Sequence, residues 1–349
     1  MFFASDTTAP VCSEILDAIR DSSDGFEHSY GADSHTQRLN ERVSELFETS
    51  CVVYPVITGT ASNALALSVL SPPYGVVLCH RTAHIQEDEC AAPEFFSGGA
   101  RLGLLEGENG RMTVTSLTEA LSAMSHGVHS APMSALSLSQ ATEWGTVYRP
   151  EHVSELAGIA KRHDLSVHMD GARFANALVS SGATPAQMTW KAGVDVLSLG
   201  ATKCGALGAE AVIFFHPERA ADFERRRKRA GHLISKMRFV SAQLNAWFEN
   251  DLWLRLAGHA NQMAQILAHS LQELPGVSIV VPVEANEIFV QMPALAVSAL
   301  EKAGADFYTW TGGTSQFPMI RLVTHFATTE QHVRDFVGCV EKALEEQAA

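Results

Sequence analysis

No stretch of this chain is apolar for long enough to cross a bilayer as a helix, which takes about 20 such residues. Positive charge is also scarce. Lys and Arg number 25 against 39 Asp and Glu, and the net charge of −14 argues against nucleic acid or anionic membrane as the main partner. The six cysteines (Cys12, Cys51, Cys79, Cys90, Cys204, Cys339) form no CxxC pair, so free thiols in a reducing cytoplasm are expected, and no metal site. The opening MFFASDTTAP has neither the basic nor the apolar segment of a secretory signal. Internal repeats and low-complexity segments are absent. What remains is ordinary globular composition, 46% hydrophobic and 18% charged, in 349 residues. That length suits one large domain with a smaller companion.

The most informative stretch is Val196 to Phe215, VLSLGATKCGALGAEAVIFF. Two short apolar runs, which read as buried strands, flank a segment made mostly of small residues with Lys203 in its middle. A lysine there is costly to desolvate unless it pairs with a carboxylate or forms a Schiff base with a carbonyl cofactor. Upstream, LSVHMDGAR (Leu165 to Arg173) delivers Asp170 at the end of a strand, where α/β proteins place functional groups. Pyridoxal 5'-phosphate (PLP) enzymes use such a carboxylate to keep the pyridine nitrogen protonated. A salt bridge between Asp170 and Arg173, with Lys203 on a surface loop, is the alternative. In this order and spacing the two motifs together favour the cofactor.

A third signal is Thr58-Gly59-Thr60-Ala61-Ser62-Asn63, between a strand (Cys51 to Ile57) and a helical run from Ala64. Strand, small turn and helix present backbone N–H groups and a positive dipole end to an anion, so Gly59, Thr60 and Ala61 are expected to cradle a phosphate. His84 follows another strand end, with Glu87, Asp88 and Glu89 nearby. Strands and helices then alternate, the signature of a mostly parallel sheet with helices on both faces. Helices are expected over Ser116–Met124 and Glu151–His163, and one long helical pattern from Ser235 to Leu271. The tail reads as strands Val277–Val281, Glu287–Gln291 and Met319–Phe326 with helices Pro293–Ala303 and Thr329–Glu346. The chain therefore divides into an N-terminal arm and large domain (1–250) and a small C-terminal α+β domain (251–349).

These residues resemble the low-specificity L-threonine aldolases, PLP enzymes of the aspartate aminotransferase fold (fold type I). The resemblance spans nearly the whole chain: Ser5-Asp6-Thr7, Tyr30-Gly31, Thr58 to Asn63, Ala83 to Gly99, Gln140 to Glu143, His168 to Arg173, Ala201-Thr202-Lys203 and Ile320 to Val323. It implies that Lys203 carries PLP, Asp170 pairs with the pyridine nitrogen, and Gly59 and Thr60 hold the phosphate. His84 would stack on the ring and handle the β-hydroxyl proton, with His126 or His129 as a second histidine. Ser5, Arg173 and Arg321 would hold the substrate carboxylate. The family assembles as dimers of dimers, so Tyr30 and the basic cluster Arg225 to Arg229 would reach a neighbour's site. The implied reaction is reversible cleavage of L-threonine, L-allo-threonine and related β-hydroxy-α-amino acids, phenylserine types included, to glycine and an aldehyde. A β-eliminating lyase, an aminotransferase, or a non-catalytic PLP and amino-acid binder would share the same lysine, aspartate and phosphate turn.

Overall fold

The computed structural model describes residues 1–122 and 126–348. Seven strands build the central sheet: β1 (Val52–Val56), β2 (Val76–His80), β3 (Arg101–Leu105), β4 (Met133–Ser139), β5 (Ser166–Gly171), β6 (Val196–Gly200) and β7 (Glu210–Phe214). Their spatial order is β1-β7-β6-β5-β4-β2-β3. Strands β2 to β6 pair in parallel, and β7 runs antiparallel to both β1 and β6. Every residue of β2, β6 and β7 is buried, which is why these strands read as continuous apolar runs. Successive side chains still go to opposite faces. Val212 and Phe214 join the core beneath helix Gly59–Leu70, while Ala211 and Ile213 join the core beneath the helices of the other face.

The smaller sheet contains β8 (Ser278–Ile279), β9 (Glu287–Gln291), β10 (Tyr308–Trp310) and β11 (Met319–Val323), antiparallel in the order β8-β9-β11-β10. Helices Ala294–Lys302 and Glu330–Ala348 belong to this unit. Phe3 of the N-terminal arm is fully buried in its core, edge-on to Phe336 at 5.1 Å.

Some expected elements differ. The long pattern from Ser235 is two helices, Arg238–Phe248 and Leu252–Gln272, because Asn250 (φ 50°) and Asp251 (φ 53°) take left-handed backbone between them. Both cores bury apolar residues of the second helix, Trp253 in one and Leu267 in the other. That shared burial explains why the hydrophobic pattern runs through the break. The expected strands Val277–Val281 and Met319–Phe326 are shorter, and the loop from Tyr308 contributes β10. The helix expected over Ser116–Met124 is Val114–Ser122, and the expected end lies outside the described residues. Among the described residues no helix is long and apolar enough to cross a membrane.

Candidate active site

The parallel strands bring their carboxyl ends to one edge of the sheet, and the antiparallel β7 brings its first residue, Glu210, to the same edge. There a cavity of about 200 Å³ is lined by Gly59, Thr60, His84, Asp170, Lys203 and Glu210, with Thr7 of the arm. Five residues singled out from sequence therefore meet around one space.

Asp170 is the penultimate residue of β5 and is buried. Its Oδ2 accepts from Asn63 Nδ2 (2.8 Å) and its Oδ1 from the Ala172 N–H (3.0 Å), which fixes the carboxylate plane. Gly171 allows the chain to turn off the strand, since a Cβ there would sit 2.8 Å from both Leu197 Cδ1 and the Ser198 carbonyl. Lys203 lies in the 3₁₀ turn Thr202–Cys204 that follows β6, and its ammonium has no hydrogen-bond or ion-pair partner among the described residues. Gly200 keeps the floor open, because a Cβ there would lie 2.8 Å from Glu210 Oε2. Burial pushes Glu210 up to about 7, opposed by the Thr202 hydrogen bond and by Lys203.

At the phosphate turn, Thr58 caps helix Gly59–Leu70, its Oγ1 accepting from the Ala61 N–H at 3.2 Å. The N–H groups of Gly59 and Thr60 have no acceptor among the described residues and stand at the positive end of the helix. Ala61 does not line the cavity and its N–H is already taken, so the expected cradle narrows to Gly59 and Thr60.

His84 Nδ1 lies 2.8 Å from Glu89 Oε1, and the same oxygen accepts from Asn63 Nδ2 at 2.8 Å. A hydrogen-bonded chain thus runs His84–Glu89–Asn63–Asp170. Burial disfavours a charged imidazole, but the Glu89 hydrogen bond and the charges of Glu143 and Asp170 outweigh it, and His84 is raised. Burial also raises Glu89, opposed by its hydrogen bonds to His84 and Asn63. The turn after Glu89 is strained, with Cys90 (φ 49°) and Ala91 (φ 58°) both left-handed, and non-glycine residues in that state cluster at functional sites. Ligand-type atoms of His84, Glu89 and Asp170 lie within 4.8 Å of one another, a proximity these hydrogen bonds account for.

Beside the cavity, the buried Arg173 donates from Nε to Asp6 Oδ2 (2.7 Å) and from Nη2 to Asp6 Oδ1 (3.2 Å), and its Nη1 lies 3.2 Å from Glu287. The alternative pairing of Arg173 with Asp170 is not formed. Arg321, on β11, donates to the Ala4 carbonyl (3.2 Å) and lies over Trp310 (5.0 Å) and Tyr308 (5.4 Å). Ser5 caps the short 3₁₀ turn Asp6–Thr8, accepting from the Thr7 N–H. The arm therefore lies against the site, held by Arg173 and Arg321.

The second-histidine expectation fails in this chain. His129 is exposed and borders a separate cavity with Tyr74, Gly75 and Arg101; His126 is exposed as well. Both precede β4, and residues that precede a parallel strand lie at the edge opposite its carboxyl end. Tyr30 is half exposed, outside the cavity, with Lys228 4.5 Å over its ring. Of the basic cluster, Arg227 is buried on Tyr54 and donates to the Pro55 carbonyl, whereas Arg225, Lys228 and Arg229 are exposed. Sequence reasoning missed Asn63, Glu89, Glu210, Asp6 and Glu287 as site groups. Glu89 was noted only as one of three acids near His84, and Asp6 and Asn63 lay inside quoted motifs. A larger cleft of about 770 Å³, near Arg149 and Lys191, is lined by none of these groups.

A lysine amine, a fixed buried carboxylate and two unsatisfied N–H groups at a helix N-terminus are the donor set that an aldehyde, a pyridine nitrogen and a phosphate require. Fold and site define a PLP-dependent enzyme of fold type I, an architecture shared with solved PLP enzymes. The Beta-eliminating lyase family matches residues 3–294. A low specificity L-threonine aldolase from Pseudomonas sp. (strain NCIMB 10558) is 42% identical over 98% of this chain and 97% of its own. Another, from Pseudomonas aeruginosa, is 44% identical over 89% of each. The structure of Leishmania major threonine aldolase superposes with a TM-score of 0.92 over 98% of both chains, at 26% identity. The chain belongs to the low-specificity L-threonine aldolases, PLP-dependent lyases.

Proposed function

We propose that the chain cleaves L-threonine, L-allo-threonine and related β-hydroxy-α-amino acids, including phenylserine types, to glycine and an aldehyde, and catalyses the reverse addition. The observation that carries this reading is the convergence of Lys203, Asp170 and His84 on one cavity with Arg173 and Arg321 beside it. PLP, when bound, supplies the electron sink that makes a Cα–Cβ bond breakable.

The chain's residues divide the remaining work. Lys203 anchors the cofactor through its amine, Gly59 and Thr60 hold the phosphate, and Asp170, fixed by Asn63, keeps the ring nitrogen protonated. Arginine is the natural bidentate clamp for a carboxylate, which assigns Arg173 and Arg321, with Ser5, to the substrate's. His84 takes the β-hydroxyl proton: Glu89 occupies Nδ1, and Nε2 has no partner among the described residues. Orienting the breaking bond is what the clamp contributes.

Three further assignments belong to this reading. The chain works as a homotetramer, a dimer of dimers, in the cytoplasm; exposed Tyr30 and Lys228 support a role in a neighbouring subunit's site, and the free cysteines a reducing compartment. It divides into a large unit (1–250) and a small one (251–349), which the separate core around Leu267 and Phe336 supports. Light scattering on the purified protein reads the assembly directly, and a monomer would remove it.

Product analysis tests the reaction. Protein loaded with PLP and given L-threonine, L-allo-threonine or phenylserine should release glycine and the matching aldehyde in equal amounts. Pyruvate-type keto acid with ammonia would replace the proposal with β-elimination, and a keto acid formed only with an amino acceptor would replace it with transamination. Cofactor uptake without any product would leave a binding protein.

A further inference from the structure

Glu287, on β9, lies between the two arginines. Its Oε2 is 3.2 Å from Arg173 Nη1 and its Oε1 3.8 Å from Arg321 Nη1, yet neither buried oxygen has a hydrogen-bond partner. Gly145 packs against its stem, where a Cβ would come within 2.8 Å of Glu287 Cβ. The other acid of the cluster is bound quite differently. Asp6 accepts two hydrogen bonds from Arg173 and one from Asn286 (3.2 Å).

Two buried acids thus balance two arginines before any substrate arrives. A carboxylate entering this cluster adds a negative charge to a desolvated group already in balance, and an uncompensated buried charge is strongly unfavourable. Glu143 adds a further negative charge that acts on Glu287, and Lys203 a positive one that acts on Asp6. The least costly correction is to neutralise the acid with the fewest hydrogen bonds. We propose that Glu287 is the counter-charge an incoming carboxylate displaces: carboxylate binding at Arg173 and Arg321 is coupled to uptake of a solvent proton by Glu287, its COO⁻ becoming COOH. The inference rests on the reading above that these arginines take the substrate carboxylate. Directions of titration agree. Burial raises Glu287 against the pull of Arg173 and Arg321; burial would also raise Asp6, but Arg173, Lys203 and the hydrogen bonds hold it below the usual range.

The test uses the tetrahedral β-hydroxy acid 3-hydroxybutyrate, which has a carboxylate but no amine and so bypasses every amine titration. Calorimetry of its binding to the PLP-loaded enzyme, in two buffers of different ionisation heat, should register uptake of about one proton above the Glu287 midpoint, with affinity falling by up to about tenfold per pH unit there. In Glu287→Gln the uptake should vanish and the affinity become flat with pH. Binding by wild type without proton uptake overturns the proposal, and needs no variant. Uptake that persists in Glu287→Gln overturns it too, by placing the proton elsewhere. Failure of 3-hydroxybutyrate to bind at any pH removes the carboxylate reading itself and the proposal with it.

Discussion

Lys203, Asp170 and His84 owe their chemistry to neighbours more than to their own type. Glu89 makes His84 a better base than burial alone would allow. Replacing Glu89 with Gln removes the charged acceptor, and the His84 imidazole should then titrate at lower pH than in wild type, as read by the NMR shifts of its ring protons. An unchanged midpoint would mean that Glu143 and Asp170 dominate instead. Glu210 sets a second expectation. Its carboxyl is raised from 4.5 to about 7, so the native state binds the extra proton and this contribution to stability is full below pH 4.5 and lost as pH rises through 7. Glu210→Gln should therefore flatten the fall in cofactor-free stability over that window, by at most about 3 kcal/mol in urea unfolding. A fall as steep as wild type would show that Glu210 titrates normally.

The helix Gly59–Leu70 couples folding to the phosphate site. Thr58→Ala removes its cap and should cost about 1 kcal/mol in denaturant unfolding. It also frees the Ala61 N–H, so PLP affinity should fall less than stability implies; a loss of affinity far beyond the stability change would assign Thr58 a direct contact. At this level the sequence was readable where a period existed. Strands β1 to β7 and their helices follow from apolar runs punctuated by glycine, and the strand-end positions of Asp170 and Lys203 follow with them. The break at Asn250 was hidden because Arg238–Phe248 and Leu252–Gln272 both continue an apolar stripe. His129 was misplaced because nothing local says which edge of a sheet a loop occupies; direction of the following strand decides it. Asp6 and Glu287 escaped for another reason. Their partner Arg173 is 167 residues from Asp6, and an ion pair of that separation leaves no local pattern.

Over the whole molecule, Arg173 ties together three parts of the chain: the arm through Asp6, the large sheet through its own position after β5, and the small sheet through Glu287. Arg173→Ala would strip Asp6 of its arginine and leave Glu287 with Arg321 alone. The expected loss is about 3–5 kcal/mol of stability, with carboxylate binding lost as well. Calorimetric unfolding and substrate titration read the two effects separately; a variant as stable as wild type would mean that Asp6 and Glu287 find other partners. The most direct measurement concerns Lys203. Protein incubated with PLP, reduced with borohydride and digested should carry the pyridoxyl mass on the peptide containing Lys203, and Lys203→Ala should carry none and release no glycine from L-threonine. Label on a different lysine, or glycine release by Lys203→Ala at the wild-type rate, would contradict the assignment of this cavity as the catalytic site.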